Sequence, residues 1–192
     1  MKKACVFCAS SHKISEKYIS DARRLGELLV ENGWGLIYGG GSTGLMGAVA
    51  DAVLAKGGEV TGIIPTFMVE VEWAHKGVRD MRRTDNMSQR KRLLIETSDA
   101  VITMPGSTGT MDEFFEVMAD KKLGLFAKTL ILLHTNGFYA HTIAQMKLMV
   151  EENFMSQHHL DVLSIAQTPE EVIEFLKAPA KPALRLEDAA VK

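Results

Sequence analysis

Short apolar runs alternate with amphipathic stretches along this chain, and two of the runs end in glycine-rich turns. Residues 3–9, 35–38, 59–64, 100–104, 129–134 and 162–166 read as strands. Their apolar residues are continuous rather than alternating, as in strands covered on both faces. Between them lie helical stretches at residues 15–32, 45–56, 86–97, 111–122 and 137–153. A last helix follows Thr168, with a capping box Thr168-x-x-Glu171 and Pro169 at its first position. Residues 66–85 are less regular, with a short strand expected over 78–83. This order predicts an α/β fold, a doubly wound parallel sheet with helices on both faces. No internal repeat or linker divides the chain, so residues 1–177 are expected to form one domain. Residues 178–192, with prolines and alternating charge, are expected to be a loose tail.

In such sheets ligands bind at the carboxyl ends of the strands, which is where both glycine-rich turns fall. Pro105, Gly106, Ser107, Thr108, Gly109 and Thr110 follow the apolar run 100–104 and lead into a helix. Glycines let backbone approach a ligand. A helix N-terminus offers unpaired N–H groups and partial positive charge, which suit a phosphate. Asp112 and Glu113 then stand beside the anion site. Thr110-x-x-Glu113 is also a capping box, in which the Glu113 carboxylate would return to the Thr110 amide and serve the helix alone. The second turn, Gly39-x-Gly41-x-x-Gly44, matches the dinucleotide fingerprint. It follows the second strand rather than the first, however, and no acid for an NAD ribose stands at the end of the third. It reads as a phosphate or ribose cradle at a helix N-terminus. No phosphate-binding loop of the G-x-x-x-x-G-K-[ST] type occurs.

With 192 residues, 46% of them hydrophobic, one sizeable core is expected. A net charge of -2 gives no basic excess for nucleic acid. The apolar run at 4–9 is too short for a signal peptide, and no run nears the roughly 20 apolar residues of a membrane helix, so a cytoplasmic protein is expected. Cys5 and Cys8 are spaced C-x-x-C, but three residues apart in a strand they face opposite sides and lack further ligands. No metal and no cofactor is expected. Arg90 and Lys91 form a basic patch on the helix before the Pro105 turn, and an arginine fork suits a phosphate or a base.

Three segments together resemble one family. Residues 39–47 are similar to its Y-G-G-G-x-x-G-L-M-G stretch, Met87-Ser88-Gln89-Arg90-Lys91 to its M-x-x-R-K, and residues 105–113 to its P-G-G-x-G-T-x-x-E. The opening Val6-Phe7-Cys8-Ala9-Ser10-Ser11 and Gly137-Phe138-Tyr139 also fit. The family is Lonely Guy (LOG), the cytokinin riboside 5'-monophosphate phosphoribohydrolases, long mislabelled lysine decarboxylases. The resemblance implies a Rossmann-like fold, a homodimer, and release of a free base and ribose 5-phosphate from a nucleoside 5'-monophosphate. It implies Arg90 and Glu113 as catalytic residues. Ser10, Gly40, Gly41, Thr43, Glu72, Met87, Lys91, Pro105, Gly106, Ser107, Thr108, Gly109, Thr110 and Asp112 would hold the substrate. The chain departs from the family at Ser107, in place of a glycine, and at Ser88-Gln89, in place of His-Glu. The rival reading is a protein of the same fold that binds a nucleotide or molybdenum cofactor without turnover. A lysine decarboxylase would need a lysine to hold pyridoxal phosphate, and nothing in the sequence marks one.

Overall fold

In the computed structural model, which describes residues 1–70 and 73–184, seven strands run parallel in one sheet. They are β1 (Lys2–Phe7), β2 (Trp34–Tyr38), β3 (Val60–Pro65), β4 (Asp80–Thr84), β5 (Ala100–Thr103), β6 (Thr129–Leu133) and β7 (Ser164–Ala166), in the order β4-β3-β2-β1-β5-β6-β7. The helices are α1 (Glu16–Glu31), α2 (Gly44–Ala55), α3 (Thr66–Glu70), α4 (Met87–Glu96), α5 (Thr108–Lys122), α6 (Ala140–Glu151), α7 (Gln157–Asp161) and α8 (Pro169–Lys177). The doubly wound α/β fold expected from the alternation is thus the observed one, and β1 is its central strand, paired with β2 on one side and β5 on the other.

Successive residues of β1 feed opposite layers, because side chains alternate along a strand. Ala4 and Val6 pack into the core under α1, α2 and α8, with Leu25, Leu29, Val49, Val53 and Val172. Cys5 and Phe7 join Leu94, Phe114 and Val117 of α4 and α5 on the other face. Cys5 and Cys8 accordingly lie in different layers, both buried as free thiols. The chain winds up one side through β2, β3 and β4 and returns through β5, β6 and β7. Its direction therefore reverses between β1 and β5, and a crevice opens there at the strands' carboxyl ends.

Several local features differ from the sequence expectation. The helix expected over 137–153 is shorter, Ala140–Glu151. Asn136 and Gly137 take positive φ (52° and 72°), which ends a single 3-10 turn at Thr135–Gly137 and delays α6 to Ala140. The helices α3 and α7 each have five residues, too few to show a period. At α8 the Thr168 hydroxyl accepts from the Glu171 amide (3.2 Å), but Glu171 Oε2 accepts from Gln167 N–H (2.7 Å), one residue before the cap. The stretch expected as a loose tail is tied down as far as Leu184. Buried Lys121 donates from Nζ to the carbonyls of Lys128 (2.7 Å) and Lys181 (2.6 Å), and the Leu184 amide donates to the Lys121 carbonyl (3.2 Å). Burial, and after it the charge of Lys181, lowers the Lys121 pKa to about 8. Among the described residues no helix is long and apolar enough to cross a membrane.

α1 and α2 approach closely because Gly26 lacks a side chain. A Cβ there would stand 2.7 Å from the Val49 carbonyl oxygen and 2.8 Å from Ala52 Cβ. Backbone cannot give way cheaply, so Gly26→Ala should cost about 1–3 kcal/mol, read as a lower urea midpoint at unchanged slope.

Candidate active site

Three strand ends meet at the crevice: residues 8–11 after β1, 39–43 after β2 and 104–107 after β5. The last of these sets the start of α5, and here the structure corrects the sequence reading. α5 begins at Thr108, three residues before the expected Met111, with Ser107 as N-cap (φ -95°, ψ -161°). The first helical bond runs from the Met111 amide to the Ser107 carbonyl at 3.0 Å. Thr110 is therefore inside the helix, and Glu113 stands in its second turn rather than at a cap. The capping box is absent. The physical reason is Gly106: a Cβ there would overlap Thr110 Oγ1 and Cβ, so its absence lets the Thr110 side chain fold inward, where it is 4% exposed. Ser107 needs no glycine, because its φ is open to any L residue, and its hydroxyl makes no capping bond. The amides of Thr108, Gly109 and Thr110 have no acceptor among the described residues, as expected for the first turn of a helix.

The helix after the second glycine-rich turn behaves differently. The amides of Leu45 and Met46 both donate to the Ala9 carbonyl (3.0 and 3.2 Å), and Thr43 Oγ1 donates to the Ser10 carbonyl (2.6 Å). Gly44 has φ +61° and lies so close to the β1 loop that a Cβ would fall 2.5 Å from the Ser11 carbonyl oxygen. The cradle expected at this N-terminus is thus already filled by the protein's own backbone. The turn supplies walls instead.

Arg90 comes from α4, whose start is held by Asn86 and Gln89. Asn86 Oδ1 accepts from Gln89 N–H (2.9 Å), and Gln89 Oε1 accepts from Asp85 N–H (2.7 Å). One turn on, the Arg90 guanidinium reaches under the strand ends. Nε donates to the Ile63 carbonyl (3.1 Å), Nη2 to the Gly39 carbonyl (3.5 Å) and Nη1 to Glu113 Oε1 (2.7 Å). Both partners of this ion pair are 5% exposed. Glu113 Oε2 accepts from no donor among the described residues. Burial pushes the Glu113 carboxyl above the usual glutamate range, and Arg90 pulls it partly back.

A cavity of about 480 Å³ opens onto this pair. Of the residues expected to hold substrate, Ser10, Gly41, Thr43, Met87, Ser107, Gly109, Thr110 and Asp112 line it together with Arg90 and Glu113. Gly40, Lys91, Pro105, Gly106 and Thr108 are not on its wall. Lys91 is turned aside by two carboxylates, Asp112 (2.9 Å) and Glu116 (2.5 Å). Glu72 lies outside the described residues. The wall also carries Cys8, His12, Met46, Ile64, Met68 and Trp73, which the sequence reading did not include. Trp73 is brought there by backbone: its carbonyl accepts from Ser42 N–H (3.2 Å) and His75 N–H donates to the Gly40 carbonyl (2.9 Å). No lysine lines the cavity among the described residues.

The family described as "possible lysine decarboxylase" matches residues 46–176. Cytokinin riboside 5'-monophosphate phosphoribohydrolase LOG3 of Arabidopsis thaliana is 37% identical over 176 residues, 92% of this chain and 82% of the relative. The corresponding LOG protein of Oryza sativa subsp. japonica is 35% identical over 172 residues, covering 90% and 71%. Among solved structures, the molybdenum cofactor binding protein of Rippkaea orientalis superposes with a TM-score of 0.71 at 21% identity, over 92% of this chain and 96% of that one. The last likeness is one of fold. The chain belongs to the LOG family.

Gly39 is glycine because the Arg90 guanidinium occupies the space of its side chain: a Cβ would overlap Nη2. Gly39→Ala should expel the guanidinium and leave Glu113 buried without its partner. The cost should be about 3–5 kcal/mol, measured by thermal denaturation, with loss of whatever chemistry the cavity supports.

Proposed function

We propose that the cavity hydrolyses the N-glycosidic bond of an N6-substituted adenosine 5'-monophosphate, releasing the free base and ribose 5-phosphate. The observation that carries this reading is the buried Arg90–Glu113 pair (2.7 Å) on the wall of a cavity that also meets the open first turn of α5. The 5'-phosphate binds at that turn, to the Gly109 and Thr110 amides and the uncommitted Ser107 hydroxyl. As the C1'–N bond lengthens, its electron pair leaves with the base and positive charge develops on the ribose. Glu113 Oε2, the oxygen not held by Arg90, faces that charge and takes a proton from the water that attacks C1'. The departing base nitrogen gains its proton from solvent, so base and ribose 5-phosphate are the only products. Arg90 offsets part of the burial that raises the Glu113 carboxyl, and it presents positive charge to the electron-rich base. The apolar wall of Met46, Ile64, Met68, Met87 and Trp73 suits a heteroaromatic base with an apolar substituent. A pyridoxal-dependent decarboxylase lacks support, since no lysine among the described residues lines the wall.

The test is chromatography after incubation with AMP, N6-isopentenyl-AMP, GMP, CMP and the matching nucleosides. Base should be released from monophosphates only, and Glu113→Gln should lower kcat by about 10²–10³. Because the Glu113 carboxyl lies above the ordinary range, its proton returns as pH falls through a higher value, and the acid limb of kcat/KM should sit above that of an exposed glutamate. Tight nucleotide binding with no base released from any monophosphate would favour a carrier role instead.

We further propose a homodimer formed through α5, whose outer face carries Phe115, Ala119 and Leu123 at four-residue intervals, with Phe115 41% and Leu123 40% exposed. Light scattering should give twice the chain mass, and Phe115→Glu should give a folded monomer.

A further inference from the structure

The turn that launches α5 is gripped from two sides before any ligand arrives. On one side the chain after β1 holds it: the Met104 amide donates to the Phe7 carbonyl (2.9 Å), and the Ala9 amide donates to the Pro105 carbonyl (3.2 Å). On the other side stands Tyr139, at the N-cap of α6. Its ring is 1% exposed in the core with Phe7 and Phe114, and its hydroxyl donates to the Met104 carbonyl at 2.7 Å. The Gly106 N–H faces the same phenolic oxygen. Tyr139 is itself fixed by its amide, which donates to His134 Nδ1 (2.9 Å). The hydroxyl thus holds the residue just before Pro105.

We propose that the Tyr139 hydroxyl is a positioning group for the substrate's anion. By holding the Met104 carbonyl it sets where α5 begins, and so where the Gly109 and Thr110 amides and the Ser107 hydroxyl point. This rests on the phosphate site proposed above. Glu113 is anchored separately, through Arg90 to the Ile63 and Gly39 carbonyls. Loosening the Tyr139 grip therefore disturbs the first turn of α5 more than the second. Burial raises the Tyr139 pKa, so the phenol stays a donor throughout the working pH range.

The consequence is a split between binding and turnover. Tyr139→Phe should raise KM for the monophosphate substrate roughly tenfold while kcat changes by less than about threefold. The Kd for ribose 5-phosphate, measured by calorimetry, should weaken in parallel. A control in the opposite core layer, Val172→Ala, adjusted by temperature to the same fraction of its melting point, should leave KM and Kd unchanged. If Tyr139→Phe does not fold, His134→Ala, which frees the tyrosine backbone but keeps the hydroxyl, should move KM and Kd in the same direction by a smaller factor. Unchanged KM and Kd in the tyrosine variant, or an equal change in the control, would overturn the proposal. Should the wild-type protein release no base, the enzyme reading fails by itself, and the ribose 5-phosphate comparison still decides the positioning role. Absence of ribose 5-phosphate binding by the wild type would sink both.

Discussion

Four elements of this protein converge on one ion pair. Arg90 comes from α4 and Glu113 from α5, while the carbonyls of Ile63 and Gly39 belong to the ends of β3 and β2. Withdrawing two charges from water is costly, and their attraction rarely returns more than it costs. Two apolar side chains of similar volume would hold α4 against α5 at least as well. On the function proposed above, the pair is a chemical device for which the fold makes room. The room is visible in the missing side chain at Gly39 and in the inward-folded Thr110, which lets the helix start early enough to carry Glu113 onto the cavity wall.

The two glycine-rich turns began as equals and ended with opposite roles. Both follow a strand and both open a helix, the arrangement that collects free amides. At α2 the β1 loop passes close by, and the Ala9 carbonyl takes two of those amides. At α5 no acceptor arrives from the described residues, and a buried tyrosine holds the turn from behind. What separates the proposed anion site from a packing joint is therefore the company of the helix N-terminus, not the glycines that precede it.

Much of this was legible in the chain, and the gaps have physical causes. Continuous apolar strands made the parallel sheet readable, because period and length are local properties. Arg90 and Glu113 could be paired only through a resemblance that links segments 23 residues apart. The capping box at Thr110 was misread because a four-residue pattern says nothing about whether Gly106 will let the threonine turn inward. Lys91 looked like a phosphate ligand beside an anion site, yet Asp112 and Glu116 were nearer partners. Met68 and Trp73 left no signal, since they come from an irregular stretch pinned to the cavity by backbone bonds, which any side chain permits. Gly39 belongs to a legible glycine-rich turn, but its reason, a guanidinium from another element, is not written in its neighbours.

The backbone of Ala9 ties the layers of the crevice together: its N–H reaches the Pro105 carbonyl and its carbonyl receives Leu45 and Met46. None of these bonds uses a side chain. The joint is therefore tolerant of chemistry and intolerant of length. Other small residues at position 9 would keep it, whereas a single insertion between Phe7 and Ser11 would slip every partner by one and unlock both helix starts together. At position 9 the backbone thus constrains spacing rather than side-chain identity.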